Sequence, residues 1–159
     1  MIKRIGFTAI AALALSVAAQ AADSFVGNWE MNKAKSKSSE LSGPERVAET
    51  LVMKARPDGG ITLNLISRFK DGTTVTWDYS CTQDGKECPA TLSNGAYDTV
   101  SLKRVDAQKV ISVMTKKGGK YKVTDTATTS KDGKSISGTF EGTDANGKPV
   151  SGTFFFDRK

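Results

Sequence analysis

Apolar and polar positions alternate along most of this chain, in short runs that end at turn residues. Ile61, Leu63, Leu65 and Phe69 share one face of an extended segment, opposite Thr62, Asn64, Arg68 and Lys70. Val75, Trp77, Tyr79 and Cys81 repeat the pattern, as do Glu49, Leu51, Met53 and Ala55, then Ile136, Gly138, Phe140 and Gly142, then Val150, Gly152, Phe154 and Phe156. A period of two with one apolar face per segment predicts antiparallel strands solvated on one side. Pro57-Asp-Gly-Gly60, Asp71-Gly72, Asp84-Gly85, Asn94-Gly95, Gly118-Gly119, Asp132-Gly133 and Asn146-Gly147 punctuate the runs as turns. After residue 21 no stretch holds a helical period, and residues 33–46, rich in Lys, Ser and Glu, read as one long polar loop.

The pattern predicts an all-β protein, a single antiparallel up-and-down β-barrel of about 8–10 strands. Closure would bury every apolar face and leave no free edge, a two-sheet sandwich being the alternative. A membrane-spanning barrel would turn its apolar faces to lipid, and the short strands and dense aromatics favour a barrel that is not membrane-spanning. Near the C-terminus, Ser137-Gly-Thr-Phe140 and Ser151-Gly-Thr-Phe154 flank Asp144-Ala-Asn-Gly-Lys148, a three-residue hairpin signal. That hairpin sets Phe140 opposite Gly152 and Gly138 opposite Phe154, aromatic rings over glycines that permit sharp coiling.

The start of the chain places the barrel in a compartment. Basic Lys3-Arg4, an apolar stretch over residues 5–19 and the small pair Ala19 and Ala21 form a secretory signal, residues 1–21, with cleavage expected after Ala21. The apolar stretch is shorter than the ~20 residues of a membrane span. Residues 22–159 are then a periplasmic or secreted domain, large enough for a core of its own. In that compartment Cys81 and Cys88, the only two cysteines, read as a structural disulfide across the Asp84-Gly85 turn rather than as a redox pair. The formal net charge of +6 is spread over scattered lysines, which argues against a nucleic-acid partner.

Phe25-Val-Gly-Asn-Trp29 at the start, with Arg158 at the end, resembles the Gly-x-Trp opening of the calycin superfamily of lipocalins, fatty-acid-binding proteins and avidins. The resemblance implies that Trp29 plugs one barrel end and that Arg158 packs across its ring, a structural pair. Four longer segments are similar to bacterial secreted lipocalin-like proteins of undefined function: Phe25-Val-Gly-Asn-Trp-Glu-Met-Asn-Lys-Ala-Lys-Ser36, Asp98-Thr-Val-Ser-Leu-Lys-Arg-Val-Asp106, Ser130-Lys-Asp-Gly-Lys134 and Gly142-Thr-Asp-Ala-Asn-Gly-Lys-Pro149. That family implies a lipocalin-like barrel and a binding role.

The chemistry of the side chains points the same way. The sequence has no histidine, so neither an imidazole base nor a Ser-His-Asp triad is available, and two cysteines alone do not make a metal site. Among Glu30, Glu49, Asp78, Asp125 and Glu141 no spacing singles out a catalytic carboxylate pair. A non-catalytic protein without metal or cofactor is expected. An apolar lining containing Trp77 and Tyr79 suits a small hydrophobic or amphipathic ligand. If their faces point inward, Arg104 and Tyr121 would hold a fatty-acid-like carboxylate. The alternative is a barrel packed by its own side chains, acting as an envelope protein-interaction or inhibitor module.

Overall fold

The computed structural model describes residues 23–38 and 45–159. The expected leader, residues 1–21, lies outside the described residues. Eleven strands and no helix occur among those described: β1 (Gly27–Met31), β2 (Lys37–Ser38), β3 (Arg46–Ala55), β4 (Ile61–Phe69), β5 (Thr74–Cys81), β6 (Asp84–Leu92), β7 (Thr99–Arg104), β8 (Lys109–Thr115), β9 (Lys122–Thr129), β10 (Ser135–Thr143) and β11 (Pro149–Arg158).

From β3 to β11 each strand pairs antiparallel with the next, and β1 bridges β3 and β11 to close a ten-strand up-and-down barrel. Trp29 marks the closure, opposite Leu51 on one side and Arg158 on the other. The long polar connection is not all loop. Lys37 and Ser38 form β2 on the same edge of β11 that β1 occupies, opposite Thr153 and Gly152. The intervening turn carries this switch, with Asn32 N–H donating to Phe155 O and Phe155 N–H to Ser36 Oγ. A two-residue strand that borrows its pairing from a distant edge leaves no periodicity to read.

Apolar faces point inward and polar ones outward. Leu51, Leu63, Val75, Val100 and Ile136 are buried, whereas Lys54, Arg68, Ser80, Lys103 and Glu141 are exposed. No helix among the described residues is long and apolar enough to cross a membrane.

One end of the barrel is plugged. Trp29 is 1% exposed and its indole N–H donates to Phe25 O at 2.9 Å. The Arg158 guanidinium lies 4.1 Å from the Trp29 ring centroid and donates to the carbonyls of Ser24, Val26 and Gly133. Any Cβ at position 27 would collide with that guanidinium, so the glycine of Gly-x-Trp clears its seat. A positive charge on an indole face, with its N–H groups on carbonyls, fixes this end both electrostatically and sterically.

The β10–β11 hairpin has the expected register, Phe140 opposite Gly152 and Gly138 opposite Phe154. The Phe140 ring would stand 2.6 Å from a Cβ at position 152, and the Phe154 ring would clash with one at 138. Cys81 and Cys88 are disulfide-bonded, Cα atoms 5.7 Å apart, consistent with an oxidising compartment. Asp84-Gly85 is not a tight hairpin turn, because β6 already pairs with β7 at Asp84. The disulfide instead ties off a short lobe, residues 82–87, at the base of the β5–β6 pair.

Candidate ligand-binding site

Above the Trp29 plug the barrel encloses a cavity of about 940 Å³. Phe25, Leu102, Ile136 and Phe156 lie deep in it, Leu51, Met53, Leu63, Val123 and Met114 line its walls, and Lys33, Lys37, Glu45 and Lys148 belong to its rim. Polar groups are few and face inward among these hydrocarbons.

On the β3–β4 wall three of them bond to one another. Glu49, 3% exposed, accepts from Ser67 Oγ at 2.5 Å and from Arg46 Nη1 at 2.9 Å. Arg46 reaches this position through a β-bulge. The register shifts between Arg46 and Ala48, so Arg46 pairs with inward-facing Phe69 while Val47 turns outward and is exposed. Arg46 Nε has no partner.

The opposite wall carries Asp125 of β9, set between Ser112 of β8 and Phe140 of β10. Among the described residues, none donates a hydrogen bond to its carboxylate or forms an ion pair with it. Burial, reinforced by the negative charge of Glu49 and opposed by Arg46, pushes the Asp125 carboxyl up to about 7. Its influence extends to the tyrosines. Burial raises Tyr79 and Tyr121, and Asp125 raises both further. Tyr97, from the β6–β7 connection, is 2% exposed with its hydroxyl unpartnered. Burial raises its phenol too, with Tyr79, Tyr121 and Asp125 adding to the effect. The Tyr97 ring sits 5.5 Å from Trp77, edge-on, and 5.6 Å from Tyr121. Trp77 Nε1 is buried and also unpartnered.

The structure brings three of the four expected ligand contacts together: Trp77, Tyr79 and Tyr121 all line the cavity. Arg104 does not join them. It shares the inward face of Val100 and Leu102 but stands at the end of β7, where its guanidinium pairs with the Asp23 carboxylate and lies 5.0 Å from the Phe25 ring centroid. Against the burial that would raise it, hydrogen bonds from Phe25 N–H, Gln83 and Arg104 hold Asp23 below its ordinary value. Arg104 is thus a strut beneath the floor, and the carboxylate clamp with Tyr121 does not form. Its partner Asp23 lies ahead of the first strand, in a stretch with no alternation to mark it.

Arg46, Glu49, Ser67 and Tyr97 complete the site, and sequence reasoning assigns none of them to it. Glu49 carries a signal, a carboxylate in register with Leu51 and Met53 on an apolar face. Arg46 carries none, because the bulge reverses its parity, and Tyr97 lies in a connection with no alternation.

No protein-family model matches the chain, and no curated protein aligns with it significantly.

Proposed function

We propose that this protein is a non-catalytic, lipocalin-like carrier that takes a small amphipathic molecule into its barrel, in an oxidising compartment outside the cytoplasm. The cavity carries the reading. Its volume falls within the roughly 300–1,000 Å³ of small-molecule sites, and its lining has their composition, mostly hydrocarbon with a few convergent polar groups. An unpaired carboxylate at Asp125, on the cavity wall, supports it further. A charge without a partner among apolar side chains is costly, and a ligand's polar group would recover part of that. The lack of histidine in the sequence supports a non-catalytic role. The Gly27–Trp29–Arg158 plug supports kinship with the lipocalin-like barrels, and the basic-apolar start of the chain with the disulfide supports export.

Residues 22–159, made in an oxidising compartment and purified without organic solvent, test the reading by native mass spectrometry. The expected spectrum shows a stoichiometric adduct of a small amphipathic molecule that is lost on denaturation. Protein at its bare mass that also takes up no added alkyl ligand would contradict a carrier and direct attention to protein partners of the loops.

A further inference from the structure

We propose that the luminal site selects a cationic head group, an organic ammonium seated against Asp125 and enclosed by the rings of Trp77, Tyr79, Tyr97 and Tyr121. This inference rests on the carrier reading and adds the chemical class of its ligand.

Charge within the lumen points to it. Of the three charged side chains that line the cavity below its rim, Arg46 and Glu49 neutralise each other at 2.9 Å, and Ser67 satisfies Glu49 further. Asp125 is left over, with no hydrogen bond from any of the described strands around it. The groups facing it are Arg46 and Glu49 from β3, Tyr79 from β5, Ser112 from β8, Phe140 from β10 and Tyr97 and Tyr121 beyond them. An anionic head group would meet two carboxylates and one cation already engaged. A purely apolar ligand would seal Asp125 in without a partner, at a desolvation cost. An ammonium removes both difficulties, through a charge-assisted N–H···O bond to the carboxylate.

The rings supply the other half of the site. Aromatic faces are negative, and cations seated among several of them gain more as water is excluded. Tyr97 lies between Trp77 and Tyr121, at ring separations of 5.5 and 5.6 Å, and Tyr79 lines the same cavity.

The test compares three ligands of equal chain length, decylamine, decanoate and decanol, on delipidated protein at pH 8, below their aggregation limits. Calorimetry is expected to give decylamine about tenfold tighter binding than either of the others, the gain of one desolvated cation contact. Asp125→Asn, which is near-isosteric and removes the luminal charge, should lose that preference while binding decanol at least as tightly as the wild type does. Lowering the pH from 8 to 5 should weaken decylamine in the wild type and leave the variant flat. Equal or tighter decanoate binding, or a preference intact in Asp125→Asn, overturns the ammonium assignment. If decanol binds without any amine preference, only this assignment fails; if none of the three binds, the carrier reading fails with it.

Discussion

Asp125 shows how a single residue can report on its surroundings. In an unfolded chain its carboxyl titrates near 3.8, whereas in the folded barrel it titrates near 7. Between those values the folded protein holds a proton that the unfolded chain has released, so this residue's contribution to stability falls as pH rises through that window. Above pH 7 the penalty is complete, up to about 4 kcal/mol at roughly 1.4 kcal/mol for each tenfold change in the acidity constant. Urea unfolding of the wild type and Asp125→Asn should therefore diverge, the variant gaining relative stability from pH 4 to pH 7 and no more beyond. Parallel pH profiles for the two proteins would mean that the carboxylate is not buried as described. At this scale the sequence was partly legible. Trp29 and Arg158 meet because Gly-x-Trp carries its own steric reason, the space left at Gly27. Arg104 misled because alternation fixes which face a side chain occupies but not how far along the barrel it sits. Two residues nearer the middle of its strand it would have entered the lumen; at the end it meets Asp23.

Elements were legible where local chemistry fixes register. The Asp144–Lys148 loop closes through Asp144 N–H to Lys148 O and Gly147 N–H to Asp144 O, and this dictates every pair along β10 and β11. Phe154 then lies over Gly138, where an added methyl would meet both the ring and Thr126 O. Gly138→Ala should consequently cost about 1–3 kcal/mol, the usual penalty for overpacking, read as a lower denaturation midpoint with an unchanged slope. A neutral result would show that both the ring and the β9 backbone at Thr126 give way to the methyl. Two elements were not legible, for different reasons. The bulge at Arg46–Ala48 has no residue signature, yet it delivers the guanidinium that Glu49 requires. Strand β2 exists only because β11 extends past the end of β1 and offers it unpaired backbone groups.

For the whole molecule, alternation plus turn spacing implied a shared interior for about 8–10 half-apolar strands, and the pairing of β1 with both β3 and β11 makes it a closed barrel rather than a two-sheet sandwich. Whether that interior is filled was not legible. Barrel diameter grows with strand number, and about eight strands is the limit that side chains fill from opposite walls. With ten strands the inward residues line the barrel without meeting across it, and a cavity of about 940 Å³ remains above the Trp29 plug. The central claim is that this space takes up a ligand. Titration of delipidated protein with the neutral fluorophore N-phenyl-1-naphthylamine tests it most directly, alongside Ser112→Phe, which projects a ring into the lumen beside Asp125. The wild type should saturate at one probe per barrel, and Ser112→Phe, folded by circular dichroism, should bind the probe more weakly. No saturation in the wild type, or undiminished uptake in Ser112→Phe, would contradict it.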